Sequence, residues 1–216
     1  MTKEEFIRKM KEDHEWAPGW DAIEEVFSGL YPDQEPSHYG TLLHSRAMFG
    51  GDNYLDGYSI YDSAKGYKHI VTFGMTELYA DEKAFGGEWN KWGYEMTIKL
   101  RADSAEDCMW ALDMLSNLAR YTYTKERFFE PLQYVAGNGT PLRIGSDSQI
   151  TALLTMSDTE AMPIDTVYGK TEFIQLVGIT QKELEAIMND HSRVQELVDR
   201  LREQSPDLVT DMSRTV

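Results

Sequence analysis

The chain has 216 residues, 41% hydrophobic and 12% aromatic, which suffices for one sizeable core and excludes a disordered chain. Its 21 basic and 37 acidic residues leave a net charge of -16, which disfavours nucleic acid and anionic membranes as partners but allows attraction to a basic protein. The single cysteine has no second thiol to pair with. With no signal-peptide-like opening and no membrane-spanning apolar run, the expected setting is the reducing cytoplasm.

Thr2-Lys3-Glu4-Glu5 is a capping-box pattern ahead of Phe6, Ile7 and Met10, and predicts a short terminal helix whose loss costs little. After Ala17-Pro18-Gly19, the residues Trp20, Ile23, Val26, Phe27 and Leu30 share one helical face over 21–30, and Tyr31-Pro32-Asp33 stops the helix. Strands are predicted at 38–43, 58–61, 69–74 and 94–100. In the last, Tyr94, Met96, Ile98 and Leu100 alternate with Glu95, Thr97 and Lys99, the pattern of a half-buried strand with one wet face. Residues 81–91 are polar and glycine-rich, an exposed loop. Ser104-Ala105-Glu106-Asp107 opens a helix whose stripe, Met109, Leu112, Leu115, Leu118 and Ala119, runs to about Tyr123. On it Cys108 lies beside acids that raise a thiol pKa and leave it inert.

Asn138-Gly139 predicts a hairpin, followed by strands over 149–156 and 171–178, the second apolar enough to be central. Thr180-Gln181-Lys182-Glu183 is a second capping box. It leads a stripe of Leu184, Ile187, Met188, Val194, Leu197, Val198 and Leu201, one long helix or two broken near Asn189, with His191 on the stripe. No repeat, linker or low-complexity segment divides residues 1–216, so a single domain is expected.

Gly50-Gly51-Asp52-Asn53-Tyr54-Leu55-Asp56-Gly57 has the glycines and aspartates of a ligand loop. A calcium loop starting at Asp52 would place Tyr54 and Ser63 at ligand positions, and a phosphate loop would need a lysine and a helix after Gly57, where Tyr58-Ser59-Ile60-Tyr61 reads as a strand. A turn entering that strand remains. His14, His38, His44, His69 and His191 show no metal-ligand spacing, and Gly145-Ser146-Asp147 is not a nucleophile elbow. The carboxylates read as solvated helix faces. No catalytic, cofactor or metal residue is therefore assigned, and a hydrolase built on carboxylates or on His38 and His44 stands only as an alternative.

Ala17-Pro18-Gly19-Trp20, Leu30-Tyr31-Pro32-Asp33, Leu55-Asp56-Gly57-Tyr58, His69-Ile70-Val71-Thr72-Phe73-Gly74-Met75-Thr76-Glu77-Leu78-Tyr79, Thr171-Glu172-Phe173-Ile174-Gln175-Leu176-Val177-Gly178 and Val209-Thr210-Asp211-Met212, in this order, resemble the Suppressor of fused family over residues 17–212, with 1–16 as a helical extension. The resemblance implies an α+β fold, a mixed β-sheet flanked by helices, that of the N-terminal lobe of the animal protein, a non-catalytic binder that takes a short peptide as an added strand. It places Tyr79 at a peptide-contacting tyrosine, with Glu88 as the acidic residue nearest a second contact position. The chain ends soon after Met212, so the second animal lobe is expected to be absent, a form similar to bacterial one-lobe members. For those the implied role is immunity, the neutralising of a toxin, here a basic one. Strand addition near Tyr79 is the alternative mode of binding.

Overall fold

β1 (Ser37–Gly40), β2 (Gly57–Ser63), β3 (Tyr67–Phe73), β4 (Trp89–Leu100), β5 (Tyr134–Val135), β6 (Ile150–Ser157), β7 (Ile164–Thr166) and β8 (Gly169–Thr180) form one sheet ordered β1-β2-β3-β4-β8-β6-β5, with β7 paired to the start of β8. This computed structural model describes residues 1–40 and 54–215. Gly50 to Asn53, His44 and the expected strand residues Thr41, Leu42 and Leu43 lie outside the described residues. The pairing of β4 with β8 is parallel and every other strand pairing is antiparallel, so the sheet is mixed as expected.

Helix α1 (Lys3–Glu12) starts at the Thr2 capping box, and α2 (Pro18–Leu30) starts earlier than the stripe suggested, because Pro18 fits the first helical turn. α3 (Met109–Lys125) follows a 3-10 turn at Glu106–Cys108. α4 (Gln181–Asn189) and α5 (Val194–Gln204) are two helices separated by a 3-10 turn at His191–Arg193. Asp190 caps that turn through Ser192, which leaves His191 exposed instead of on the apolar stripe.

Alternation sorts the strand residues onto two faces. Tyr94, Met96, Ile98 and Leu100 of β4, with Ile174 and Leu176 of β8, pack on Ala111, Leu112, Leu115 and Ala119 of α3. On the opposite face α2 places Ile23 and Phe27 against Val71, Phe73 and Phe173, while α4 and α5 cover Leu154, Val177 and Ile179. Cys108 is buried beside α3, and burial pushes its thiol up to about 11, as its inert reading requires.

Four further expectations change. Residues 89–91, expected in the exposed loop, open β4 instead, with Asn90 buried. Glu95, Thr97 and Lys99 are wholly buried, because α2 on one side and α4 with α5 on the other roof the face they were predicted to expose to water. Asn138-Gly139 makes no two-residue hairpin turn; Pro141 lacks the donor a strand paired directly after it would need, and β5 and β6 pair antiparallel across the long connection 136–149. The terminal helix is docked, with the Phe6 ring 5.0 Å from Trp16, 4.9 Å from Phe85 and 5.9 Å from Tyr168.

Candidate protein-binding face

The segment 74–79 follows β3 and is held from beneath by Glu95. Its buried carboxylate accepts from the Thr72 and Thr76 hydroxyls at 2.6 and 2.7 Å, and from the backbone N–H groups of Gly74, Met75 and Thr76 at 3.0, 3.3 and 2.9 Å. Burial pushes this carboxyl up, against the five donors that favour its ionised form. Gly74 makes the corner at φ 129°, where a Cβ would lie 3.0 Å from the Asp56 nitrogen. Asn90 Oδ1 accepts from the Glu77 nitrogen at 2.8 Å, and the Tyr123 hydroxyl donates to the Gly74 carbonyl at 2.6 Å.

Tyr79 therefore stands half-exposed on a braced loop and lies outside any strand; the sheet's terminal strands are β1 and β5. Its carbonyl accepts from the Tyr168 hydroxyl at 2.5 Å. Burial, then Asp56 and Glu77, raise its phenol, so it stays a donor at neutral pH. Glu88 is exposed near the other end of the same loop, its carbonyl accepting from the Lys170 nitrogen at 3.0 Å. Gly169 permits that approach, since a Cβ there would lie 2.5 Å from the Gly87 carbonyl oxygen.

Beyond Glu88 lies a group of exposed aromatic residues: Trp89 is 47%, Tyr121 43%, Phe128 54% and Tyr134 36% exposed. They line two neighbouring clefts that share Phe128, Phe129 and Glu130. One, of about 470 Å³, is walled by Trp89, Trp92 and Glu172. The other, of about 850 Å³, is walled by Tyr121, Glu126, Tyr134 and Val135. Sequence reasoning missed these residues. The available signal was a pair of tryptophans in a polar loop and Phe128-Phe129 just after a helix, all off the periodic stripes.

The buried polar face of the sheet holds a second cluster. His69 Nε2 lies 3.0 Å from Asp158 Oδ2 and its Nδ1 lies 2.7 Å from the Tyr31 hydroxyl, while Lys99 Nζ lies 3.2 Å from Asp158 and 3.0 Å from Glu160. His69, Lys99 and Asp158 have no exposed side-chain surface, which suits cohesion between β3, β4 and the 158–161 turn more than contact with a substrate. His38 is not part of it and bonds Ser59 at 3.1 Å. Ser146 bonds the carbonyl of Arg143 within its own turn, and the described residues hold no group of three His, Cys, Asp or Glu side chains placed to hold a metal ion.

Burial would raise the Asp158 carboxyl, but His69 and Lys99 outweigh it and hold it well below the usual range. Burial is likewise outweighed at Glu160, held at about 2 by Tyr67, Lys65 and Lys99. Both folded values are depressed, so this stabilisation is full above the unfolded carboxylate values of about 4 and is lost as pH falls toward 2. Urea midpoints should therefore drop steeply between about pH 4 and 2, and less steeply in Lys99→Met. Equal slopes in the two proteins would show that the cluster does not set acid stability.

A model of the Suppressor of fused protein family matches residues 51–215. The chain belongs to the Suppressor of fused family. Over 202 residues it is 29% identical to the human Suppressor of fused homolog, a match covering 86% of this chain and 41% of that protein, and the mouse homolog matches equally. The chain thus spans about two fifths of the length of these curated relatives. Among solved structures, the Suppressor of Fused of Drosophila superposes with a TM-score of 0.80 at 25% identity, over 93% of this chain and 51% of that one. A chain of the Sufu-Fu complex gives 0.78 at 24% identity over 93% and 92%. A homolog from Neisseria gonorrhoeae FA 1090 gives 0.61 at 16% over 91% and 95%. The α+β expectation thus holds as the fold of the family. Among the described residues no helix is long and apolar enough to cross a membrane.

Proposed function

We propose that this chain is a non-enzymatic protein-binding domain that captures a segment of another protein on the face carrying Tyr79, Glu88, Trp89, Phe128 and Tyr134. The observation that carries this reading is the concentration of exposed aromatic residues around Phe128, where two clefts meet. Aromatic anchors of this kind supply most of the affinity of a protein interface when a partner desolvates them. A Suppressor of fused structure solved as a Sufu-Fu complex supports binding as the family's mode of action.

The finer form of the proposal is immunity in the cytoplasm. The partner is a basic toxin domain drawn by the net charge of -16, and occlusion alone neutralises it, without cofactor or metal. Affinity capture from the native cell, washed at low and then moderate salt, should recover one basic protein that is lost as salt rises. Recovery of an acidic partner, or salt-insensitive binding, would remove the toxin reading and leave the binding domain.

Phe128→Ser should weaken capture at least about tenfold and leave the urea midpoint unchanged, because the side chain is exposed. Undiminished capture would place the interface elsewhere. A second reading, strand addition, is favoured by β5, a two-residue strand at the end of the sheet that lines the larger cleft. In that case Val135→Pro abolishes capture while Tyr79→Ala spares it; in the first reading Tyr79→Ala weakens it.

A further inference from the structure

The smaller cleft combines ring faces with carboxylates. Trp89, Trp92 and Phe128 form its walls, and Glu130 and Glu172 stand at its margin. One cation already uses two of these lining residues: Lys170, outside the lining itself, holds its Nζ 4.9 Å from the centroid of the Trp89 ring and pairs with Glu172. The lysine that does line the cleft, Lys91, turns away. Its ammonium bonds the carbonyls of Gly74 and Thr76 at 3.3 and 3.5 Å and lies 5.5 Å from the Tyr123 ring. Trp92 also keeps a buried Nε1–H that meets no acceptor among the described residues, a donor left over for a carbonyl oxygen.

We propose that this cleft receives an arginine or lysine side chain of the captured protein, and that Lys170 is an internal stand-in which the incoming cation displaces. The proposal rests on the binding reading above and names the partner's chemistry. A cation over an indole face with a carboxylate beside it gains from the ring quadrupole and from charge together, and a guanidinium adds stacking and a planar fork for the carboxylate. The main-chain carbonyl beside that residue supplies the acceptor for Trp92. Lys170 and Glu172 are both partly exposed, with 40% and 28% of their side-chain surface open, so the internal pair separates without opening the core. The surplus of acid over base across the chain favours the same sign of ligand.

The stand-in gives substitutions of opposite sign. The probe is the capped peptide Gly-Gly-Arg-Ala-Gly-Gly, with the citrulline peptide as its uncharged, nearly isosteric control. Binding is read from the indole N–H resonances of Trp89 and Trp92 in the full chain. The arginine peptide should shift both resonances saturably and the citrulline peptide should not. Lys170→Met should tighten arginine binding about two- to five-fold by removing the competing cation, whereas Glu172→Gln should weaken it by a similar factor. Added salt should weaken it further.

Equal binding of the two peptides, unmoved indoles at millimolar peptide, or weaker binding in Lys170→Met would overturn the proposal. Because Trp16, Trp20 and Trp110 lie outside the cleft, shifts confined to them would overturn it as well. If Phe128→Ser abolishes partner capture while the arginine peptide leaves Trp89 and Trp92 unmoved, the binding face stands and the cation site alone is lost. If the peptide binds as described and Phe128→Ser leaves capture intact, the cation site stands and the partner uses another surface.

Discussion

Asp158→Ala is expected to destabilise the protein by about 3–5 kcal/mol, a fall in melting temperature of roughly 6–20 °C for a chain of this size. The carboxylate is shared between two strands of the sheet, β3 and β4, and its own turn. Its Oδ2 lies 3.0 Å from His69 and 2.5 Å from the Thr97 hydroxyl. Its Oδ1 lies 3.2 Å from Lys99 and accepts from the backbone nitrogens of Glu160 and Ala161 at 2.8 and 3.0 Å. Truncation leaves a wholly buried lysine with Glu160 as its remaining carboxylate and strips the cap from the 158–161 turn, and breaking a buried pair from one side is the costly way to break it. Asp158→Asn keeps the shape and the turn bonds while losing the charge, so it should cost less. A thermal scan decides the matter: a drop in Asp158→Ala no larger than that of an exposed-site control would mean that the cluster does not hold the layers together.

Glu95→Ala should be comparably severe and should reach the binding face as well. It deprives two hydroxyls and three backbone N–H groups of their common acceptor in a site sealed from water, an expected loss of about 3–5 kcal/mol in which each stranded donor counts for about 1–3 before relaxation. The segment so released is the one that presents Tyr79. Hydrogen exchange at the Met75 and Thr76 amides should accelerate by at least about a hundredfold, and partner capture should weaken even at temperatures where the variant remains folded. Glu95→Gln, with one acceptor oxygen retained, should fall between. Amides as protected in Glu95→Ala as in the parent chain would show that Lys91, Asn90 and Tyr123 hold the segment without Glu95.

The sequence made the frame readable wherever a local rule decided the outcome. The capping boxes at Thr2 and Thr180 started α1 and α4, the break near Asn189 separated α4 from α5, and the apolar run at Phe173 to Val177 marked the centre of the sheet. It misled at Glu95, Thr97 and Lys99. Alternation shows that these three share a face, but only the tertiary roof of α2, α4 and α5 decides whether that face meets water. Asp158 and Glu160, the partners that make burial of Lys99 tolerable, lie far away in the chain. β7 is only three residues long and β5 two, below what alternation can resolve. At the candidate site, Tyr79 and Glu88 came from family resemblance, and the structure places them on one braced loop. The neighbouring aromatics were not found, because a solvent-facing Trp89 or Phe128 has no periodic partners and its meaning depends on residues gathered from β4, α3, β5 and β8.

The parallel pairing of β4 with β8 constrains the order in which the chain can be completed. β4 and β8 lie side by side at the centre yet are separated by residues 101–168, and Asp158, the counter-charge of Lys99, is made only near the end of that interval. As the polypeptide leaves the ribosome, β4 can pair with β3 but its other edge stays unmated, with a lysine and a glutamate on one face and Tyr94, Met96, Ile98 and Leu100 on the other. Native assembly of the sheet centre must wait until residue 180 has emerged. Until then the nascent first half is an open template for unwanted strand association and a natural client for holding chaperones.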